Sequence, residues 1–365
     1  MKDFCPIRSV DHIELYVGNA KQASAFYASS FGFTPVAYRG LETGDRDTAS
    51  YLVAQGDIRL ALTTAFDSSH PVAKHFAKHG DGVGVIALNV PDATAAFRET
   101  VHRGAVPAIE PTSERDAHGV LRYAAIHAYG DTIIKFIDRD DYAGVFAPGF
   151  EARPSHERSH AAVGLASIDH IVGNVELGGM DRWVQFFAET MGFTQLMHFD
   201  DRAISTEYSA LMSKVMQDGT GRIKFPINEP ASGRRKSQVQ EYLDYYGGPG
   251  VQHVAFASDD IVRTVSELRA RGVEFLNVPR AYYDDLNERV GQIEEHVDDL
   301  AALGIMADRD DEGYLLQIFT EAVEDRPTLF FEIIERHGAK GFGEGNFKSL
   351  FEAIEREQAK RGNLV

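Results

Sequence analysis

The sequence predicts an α+β fold written twice, two similar domains on one chain, and three observations predict it. The stretch SVDHIELYV at residues 9 to 17 returns as SIDHIVGNV at 167 to 175, with a histidine at the same place, His12 and His170. Both copies then continue in step: SVDHIELYVGNAKQASAFYASSFGFTPV (9 to 36) against SIDHIVGNVELGGMDRWVQFFAETMGFTQL (167 to 196). A second matched pair follows, HGDGVGVIALNVPDATAAFRETVHRGAVPAIEP (79 to 111) against GGPGVQHVAFASDDIVRTVSELRARGVEFLNVP (247 to 279). The copies lie about 160 residues apart, far beyond the ~20–50 of a solenoid repeat, so the unit repeated is a domain.

Each first stretch reads as an alternating strand, then a helix-period segment carrying aromatics (Phe26 and Tyr27; Trp183, Phe186 and Phe187), then a Gly-Phe turn into another strand. Each second stretch reads as a Gly-rich turn, strand, helix, Arg-Gly turn and strand. Residues 1 to 148 are expected to form an N-terminal domain and residues 165 to 365 a C-terminal one. Between them GFEARPSHERSHAAVG (149 to 164), rich in Pro, Gly, His and charge and without a period, reads as a linker. At the end of the chain Phe347, Leu350, Phe351 and Ile354 recur at helical spacing, which predicts a terminal amphipathic helix.

Composition bounds the rest. The 365 residues are 44% hydrophobic and 25% charged, as in a soluble globular protein. The net charge of −18 argues against a nucleic-acid or anionic-membrane partner. A small anionic substrate is compatible with it if the pocket carries its own positive charge, and a metal ion is one source. The single cysteine, Cys5, excludes an internal disulfide and fits a reducing compartment. The N-terminus MKDFCPIRSV lacks a signal-peptide core, and the longest nearly unbroken apolar run, VGVIALNV (83 to 90), is far short of the ~20 residues that span a bilayer. A cytoplasmic location is expected.

Aligning the two halves isolates the candidate chemistry. His170 matches His12, whereas His253 in GVQHVAF matches Val85 in GVGVIAL. Setting TLFFEIIER (328 to 336) against TIIKFIDRD (132 to 140) places Glu332 opposite Phe136. Only the second half then offers two histidines and a carboxylate at equivalent strand positions. Two imidazoles and one carboxylate leave adjacent positions open on an octahedral ion, the arrangement of non-heme Fe(II) oxygenases, although zinc, manganese or nickel accept the same ligands. A carboxylate at 332 amid Leu, Phe and Ile costs several kcal/mol to bury uncompensated, and a cation would compensate it. His12 alone reads as a hydrogen-bonded core histidine.

The segments IDHIVGNVELGGMDRWVQFF, TEYSALMSKVM, IKFPINEPA, KSQVQEYLDYYGGPGVQHVAF, DEGYLLQIFT and RPTLFFEIIERHGAKGFGEGNFKSLFEAIEREQ carry a resemblance over essentially the whole length. The chain resembles the 4-hydroxyphenylpyruvate dioxygenase family of the vicinal oxygen chelate superfamily. That resemblance implies two vicinal-oxygen-chelate domains, each of paired βαβββ modules forming a curled, open-barrel mixed sheet, with only the C-terminal cavity active. It implies one Fe(II) per chain on His170, His253 and Glu332. It implies polar groups around substrate and metal at Ser213, Asn228, Gln238, Gln252 and Gln317, with Pro226, Phe319, Phe330, Phe342, Asn346 and Phe347 completing the pocket. Gln252 adjoins His253, so strict alternation would turn it away from the metal unless the strand is irregular. Asn346 and the terminal helix would form a lid.

The implied reaction joins 4-hydroxyphenylpyruvate and O2 to give homogentisate and CO2, a step of tyrosine and phenylalanine catabolism. The substrate's own 2-oxo acid removes any need for 2-oxoglutarate. A homo-oligomer, dimer or tetramer, is expected by the same resemblance. Two other readings remain open: 4-hydroxymandelate synthase, against which Pro226 and Asn228 in FPINEP weigh, and a metal-free binding protein of the same superfamily, against which the two histidines and glutamate weigh.

Overall fold

The computed structural model describes residues 4–153, 161–199, 210–231 and 235–363. Residues 154–160 of the expected linker and 206–209 of TEYSALMSKVM lie outside them. The first half runs β1 (Ser9–Tyr16), α1 (Ala20–Phe31), β2 (Thr34–Arg39), β3 (Thr48–Gln55), β4 (Ile58–Ala65), α2 (Pro71–His79), β5 (Gly82–Asn89), α3 (Ala93–His102), β6 (Pro107–Asp116), β7 (Gly119–His127) and β8 (Ile133–Asp138). A two-residue β9 (Glu151–Ala152) follows inside the stretch expected as linker and pairs with β2. The second half runs β10 (Leu165–Asn174), α4 (Met180–Met191), β11 (Thr194–Phe199), β12 (Ala210–Gln217), β13 (Lys224–Ala231), α5 (Gln238–Tyr246), β14 (Gly250–Ser258) and α6 (Ile261–Ala270). Two short helices, α7 (Leu286–Val290) and α8 (Val297–Leu303), precede β15 (Met306–Arg309), β16 (Tyr314–Phe319), β17 (Phe330–His337) and the terminal α9 (Phe347–Lys360).

The two mixed sheets have the same plan. The strand order β6-β7-β8-β5-β1-β4-β3-β2 of the first is matched by β15-β16-β17-β14-β10-β13-β12-β11 in the second. Each is a pair of βαβββ modules, with parallel strand pairing where β1 meets β4 and β5 meets β8, or β10 meets β13 and β14 meets β17. The Gly-Phe turns end α1 and α4. Gly32 (φ 72°) and Gly192 (φ 75°) adopt the left-handed conformation that closes a helix without a Cβ clash. The following Phe33 and Phe193 are fully buried, each withdrawing roughly 2–3 kcal/mol worth of apolar surface from water.

One core runs between the halves. Phe31 packs against Phe331 at 5.3 Å between ring centroids and Phe33 against Phe256 at 6.1 Å. In β17 side chains alternate, so Phe331 and Ile333 serve this core while Phe330 and Glu332 face the hollow of the second sheet.

Candidate metal centre

Three neighbouring strands, β10, β14 and β17, present His170, His253 and Glu332 to one face. The register sets the triangle: Ala255 of β14 lies opposite His170 on one side and Glu332 on the other, and His253 stands two residues along. Because Ala255 has only a methyl group, the space among the three ligands stays clear. Glu332 Oε2 lies 3.0 Å from His170 Nε2 and 3.4 Å from His253 Nε2. One donor atom from each residue falls within 4.8 Å of the others, and all three residues are buried.

The outward nitrogens are held. His170 Nδ1 meets Asp169 Oδ1 at 2.7 Å, and His253 Nδ1 meets Gln252 Oε1 at 2.9 Å. Each contact fixes its ring and leaves Nε2 facing inward. Both supports are the immediate sequence neighbours of the rings they hold, which alternation forbids on a regular strand. Two bulges make it possible. Pairing between β10 and β14 skips Asp169 at one irregularity and Gln252 at another. Asp169 is in turn gripped by Arg336 through Nε and Nη2, both at 2.8 Å.

The charges are mutually dependent. Burial opposes ionisation of Asp169, but the hydrogen bonds from Arg336 and His170 outweigh it and hold the carboxyl well below the usual range. Glu332 behaves likewise, its burial outweighed by His170 and His253. At His170 burial is overcome by Glu332 and Asp169 and the pKa rises, whereas at His253 burial prevails and it falls. A carboxylate and two imidazole Nε2 atoms crowded together inside a protein are a donor set suited to a divalent cation.

The cavity over this set is lined by Ser213, Pro226, Asn228, Gln238, Gln252, Phe319, Phe330, Phe342 and Phe347, nine of the residues read from the sequence. Phe330 stacks on His253 at 4.8 Å. Leu350, Phe351 and Ile354 of α9 close one side, and Phe199, Leu211, Val172 and Val215 complete the wall.

Gln317 and Asn346 stand apart from the lining. Gln317 is buried under the turn at Gly343 with neither amide atom bonded. Asn346 accepts a 2.5 Å hydrogen bond from the Tyr282 hydroxyl at the foot of α9. Sequence reasoning missed Asp169 and Arg336. Their signal was the Asp-His pair present in both halves and an arginine four residues past Glu332.

The first half corrects the alignment. His12 faces Ala87 on β5, and Ala87 faces Lys135 on β8, so Lys135 rather than Phe136 is the counterpart of Glu332. Phe136 points into the core. The support survives there: Asp11 bonds His12 Nδ1 at 2.6 Å and is gripped by Arg139 through Nε at 2.6 Å and Nη2 at 2.8 Å. With Val85 and Lys135 at the other two corners, the ligand set is gone.

Residues 9–141 and 167–318 match the Glyoxalase/Bleomycin resistance protein/Dioxygenase superfamily. The chain is 48% identical to the 4-hydroxyphenylpyruvate dioxygenase of Yarrowia lipolytica, over 98% of its own length and 94% of that enzyme. It is 47% identical to the one from Dictyostelium discoideum, over 97% and 99%. Among solved structures, a mutant of 4-hydroxymandelate synthase from Streptomyces coelicolor superimposes with a TM-score of 0.86 at 33% identity, covering 97% of this chain and 99% of that one. Matched over 97–98% of its length by dioxygenases at this level, and folded as two curled sheets of one plan, the chain belongs to the 4-hydroxyphenylpyruvate dioxygenase family.

Proposed function

We propose that the chain is an Fe(II)-dependent dioxygenase that converts 4-hydroxyphenylpyruvate and O2 to homogentisate and CO2. The observation that carries this reading is the buried two-histidine, one-carboxylate set at the floor of an aromatic-walled cavity, in a chain whose relatives bear that enzyme's name. His170, His253 and Glu332 would hold the iron. When bound, the ion supplies a positive centre for the 2-oxo acid and activates O2.

The protein's own share is orientation and exclusion. Asp169 and Gln252 keep the two imidazoles aimed inward. Phe319, Phe330, Phe342 and Phe347 offer faces and edges to a phenol ring, and Ser213, Asn228 and Gln238 are neutral hydrogen-bonding groups that hold a hydroxyl without ionising it. Leu350, Phe351 and Ile354 of α9 keep bulk water out. Gln317 and Asn346 act from outside the lining, Asn346 by anchoring α9. Among its described residues the N-terminal half, 1 to 148, lacks the ligand set, and the catalytic half begins at residue 165. No described helix is long and apolar enough to cross a membrane. We place the enzyme in the cytoplasm as a homo-oligomer, without nucleic-acid or membrane partners.

Likeness to a 4-hydroxymandelate synthase favours a second product from the same substrate. Pro226 and Asn228 at the cavity wall weigh for the dioxygenase. The test is anaerobic reconstitution with Fe(II), addition of 4-hydroxyphenylpyruvate and air, and chromatography alongside oxygen uptake. Homogentisate is expected. 4-Hydroxymandelate would transfer the function to the synthase, and the absence of iron-dependent uptake would refute both.

A further inference from the structure

The hollow of the first sheet is not filled. It encloses a cavity of about 160 Å³ at the place where the second half carries its ligands, below the size of drug-binding pockets and suited to a small metabolite. Lys135 lines it. Among the described residues its Nζ has no hydrogen bond or ion pair, and it lies 4.1 Å from the centroid of Tyr123.

The other charges on the wall divide into two kinds. Arg139 is committed to Asp11, and Arg39 faces Asp45 at 3.1 Å. Glu14 and Glu114 are half-satisfied: one oxygen of Glu14 accepts from Thr63 at 2.7 Å, one of Glu114 accepts from Tyr123 at 2.5 Å, and the second oxygen of each has no partner among the described residues. Phe146 and Leu121 supply apolar wall.

An unpartnered ammonium and two half-satisfied carboxylates around one cavity suit a ligand that carries both charges. A plain carboxylate would answer Lys135 but add to the negative charge of Glu14 and Glu114, and a plain amine would leave Lys135 unanswered. We propose that this cavity binds a small zwitterion of the α-amino acid class, with its carboxylate on Lys135 Nζ, its ammonium toward Glu14 and Glu114, and an apolar side chain against Phe146 and Leu121. Burial pulls the Lys135 pKa down while Glu14 and Glu114 oppose that pull, and an incoming carboxylate would further favour the charged form.

The test is calorimetric titration of the full chain with L-leucine and L-phenylalanine, beside 4-methylpentanoate, which lacks the ammonium, and isoamylamine, which lacks the carboxylate. One saturable site per chain is expected for at least one amino acid, with each analogue about tenfold weaker or worse. Lys135→Met and Glu114→Gln should each weaken binding by a similar factor. Glu114→Gln, at a partly exposed position, keeps the question open to test should Lys135→Met fold poorly. The proposal is overturned if neither amino acid binds at about 10 mM, if both variants bind as wild type does, or if 4-methylpentanoate binds as tightly as leucine.

Discussion

Replacing Asp169 by Asn tests whether the rigidity behind the metal centre matters to the metal or only to the fold. Asp169 accepts three hydrogen bonds, two from Arg336 at 2.8 Å each and one from His170 at 2.7 Å, and its side chain is 10% exposed. An asparagine keeps one oxygen but presents an NH2 group to one of those donors and leaves the Arg336 guanidinium, 17% exposed, without its counter-charge. Breaking a buried pair in this way costs about 3–5 kcal/mol, and loss of a group that supports a metal-binding histidine costs about 10–100-fold in metal affinity. The molecule contains its own control. Asp11→Asn perturbs the equivalent three bonds, from His12 and Arg139, in the half without ligands, so it should cost comparable stability and leave metal affinity unchanged. Denaturant unfolding of the metal-free proteins measures the first quantity, and competition for Fe(II) against a chromogenic chelator under argon measures the second. Asp169→Asn binding Fe(II) within about twofold of wild type, or Asp11→Asn losing as much affinity as Asp169→Asn, would refute the reasoning.

Other outcomes are expected from the same structure. Glu332→Ala should abolish both iron retention and turnover while His12→Ala spares them; iron analysis after desalting and an oxygen electrode decide it, and an active Glu332→Ala protein sinks the ligand assignment. Burial lowers the pKa of His75 from its ordinary 6.5 to about 4. Between those values the unfolded chain takes up a proton that the folded chain refuses, so stability falls as pH drops from 6.5 toward 4, by up to about 3 kcal/mol; denaturant midpoints of His75→Gln should lack that part of the slope. Tyr282→Phe removes the bond to Asn346 and an acceptor for Ala307 N–H, costing about 1–3 kcal/mol, and should speed amide exchange in α9 but not in α1. Equal exchange in both helices would show that the Tyr282 hydroxyl does not anchor α9.

Much of this was legible in the sequence because it was written twice. The repeated strands, the Gly-Phe turns and the histidines at matching places follow from periodicity and turn chemistry, which depend on neighbours in the chain. The two bulges do not. Whether Asp169 and Gln252 turn toward the rings they support is decided by backbone pairing between β10 and β14, and nothing in SIDHI or GVQHV marks the extra residue. The same blindness put Phe136 where Lys135 stands: a slip of one residue exchanges the faces of a strand, and the true register is fixed by pairing of β8 with β5. Asn346 looked like pocket wall, but its partner Tyr282 lies 64 residues away in the segment between α6 and α7, where no local pattern announces it.

The shared support beneath His12 and His170 bears on how such a site is gained or lost. The aspartate, the arginine and the first histidine stand in both halves, so the costly part of the apparatus, a bulged strand carrying a buried ion pair and a pre-aimed ring, is a property of the scaffold. What separates a half with the ligand set from a half without it is the occupancy of two further positions, Val85 against His253 and Lys135 against Glu332, around an alanine common to both. Reactivity is thereby modular in this architecture: an inherited frame can be switched between holding a cation and supplying one of its own, an ammonium, without rebuilding a strand.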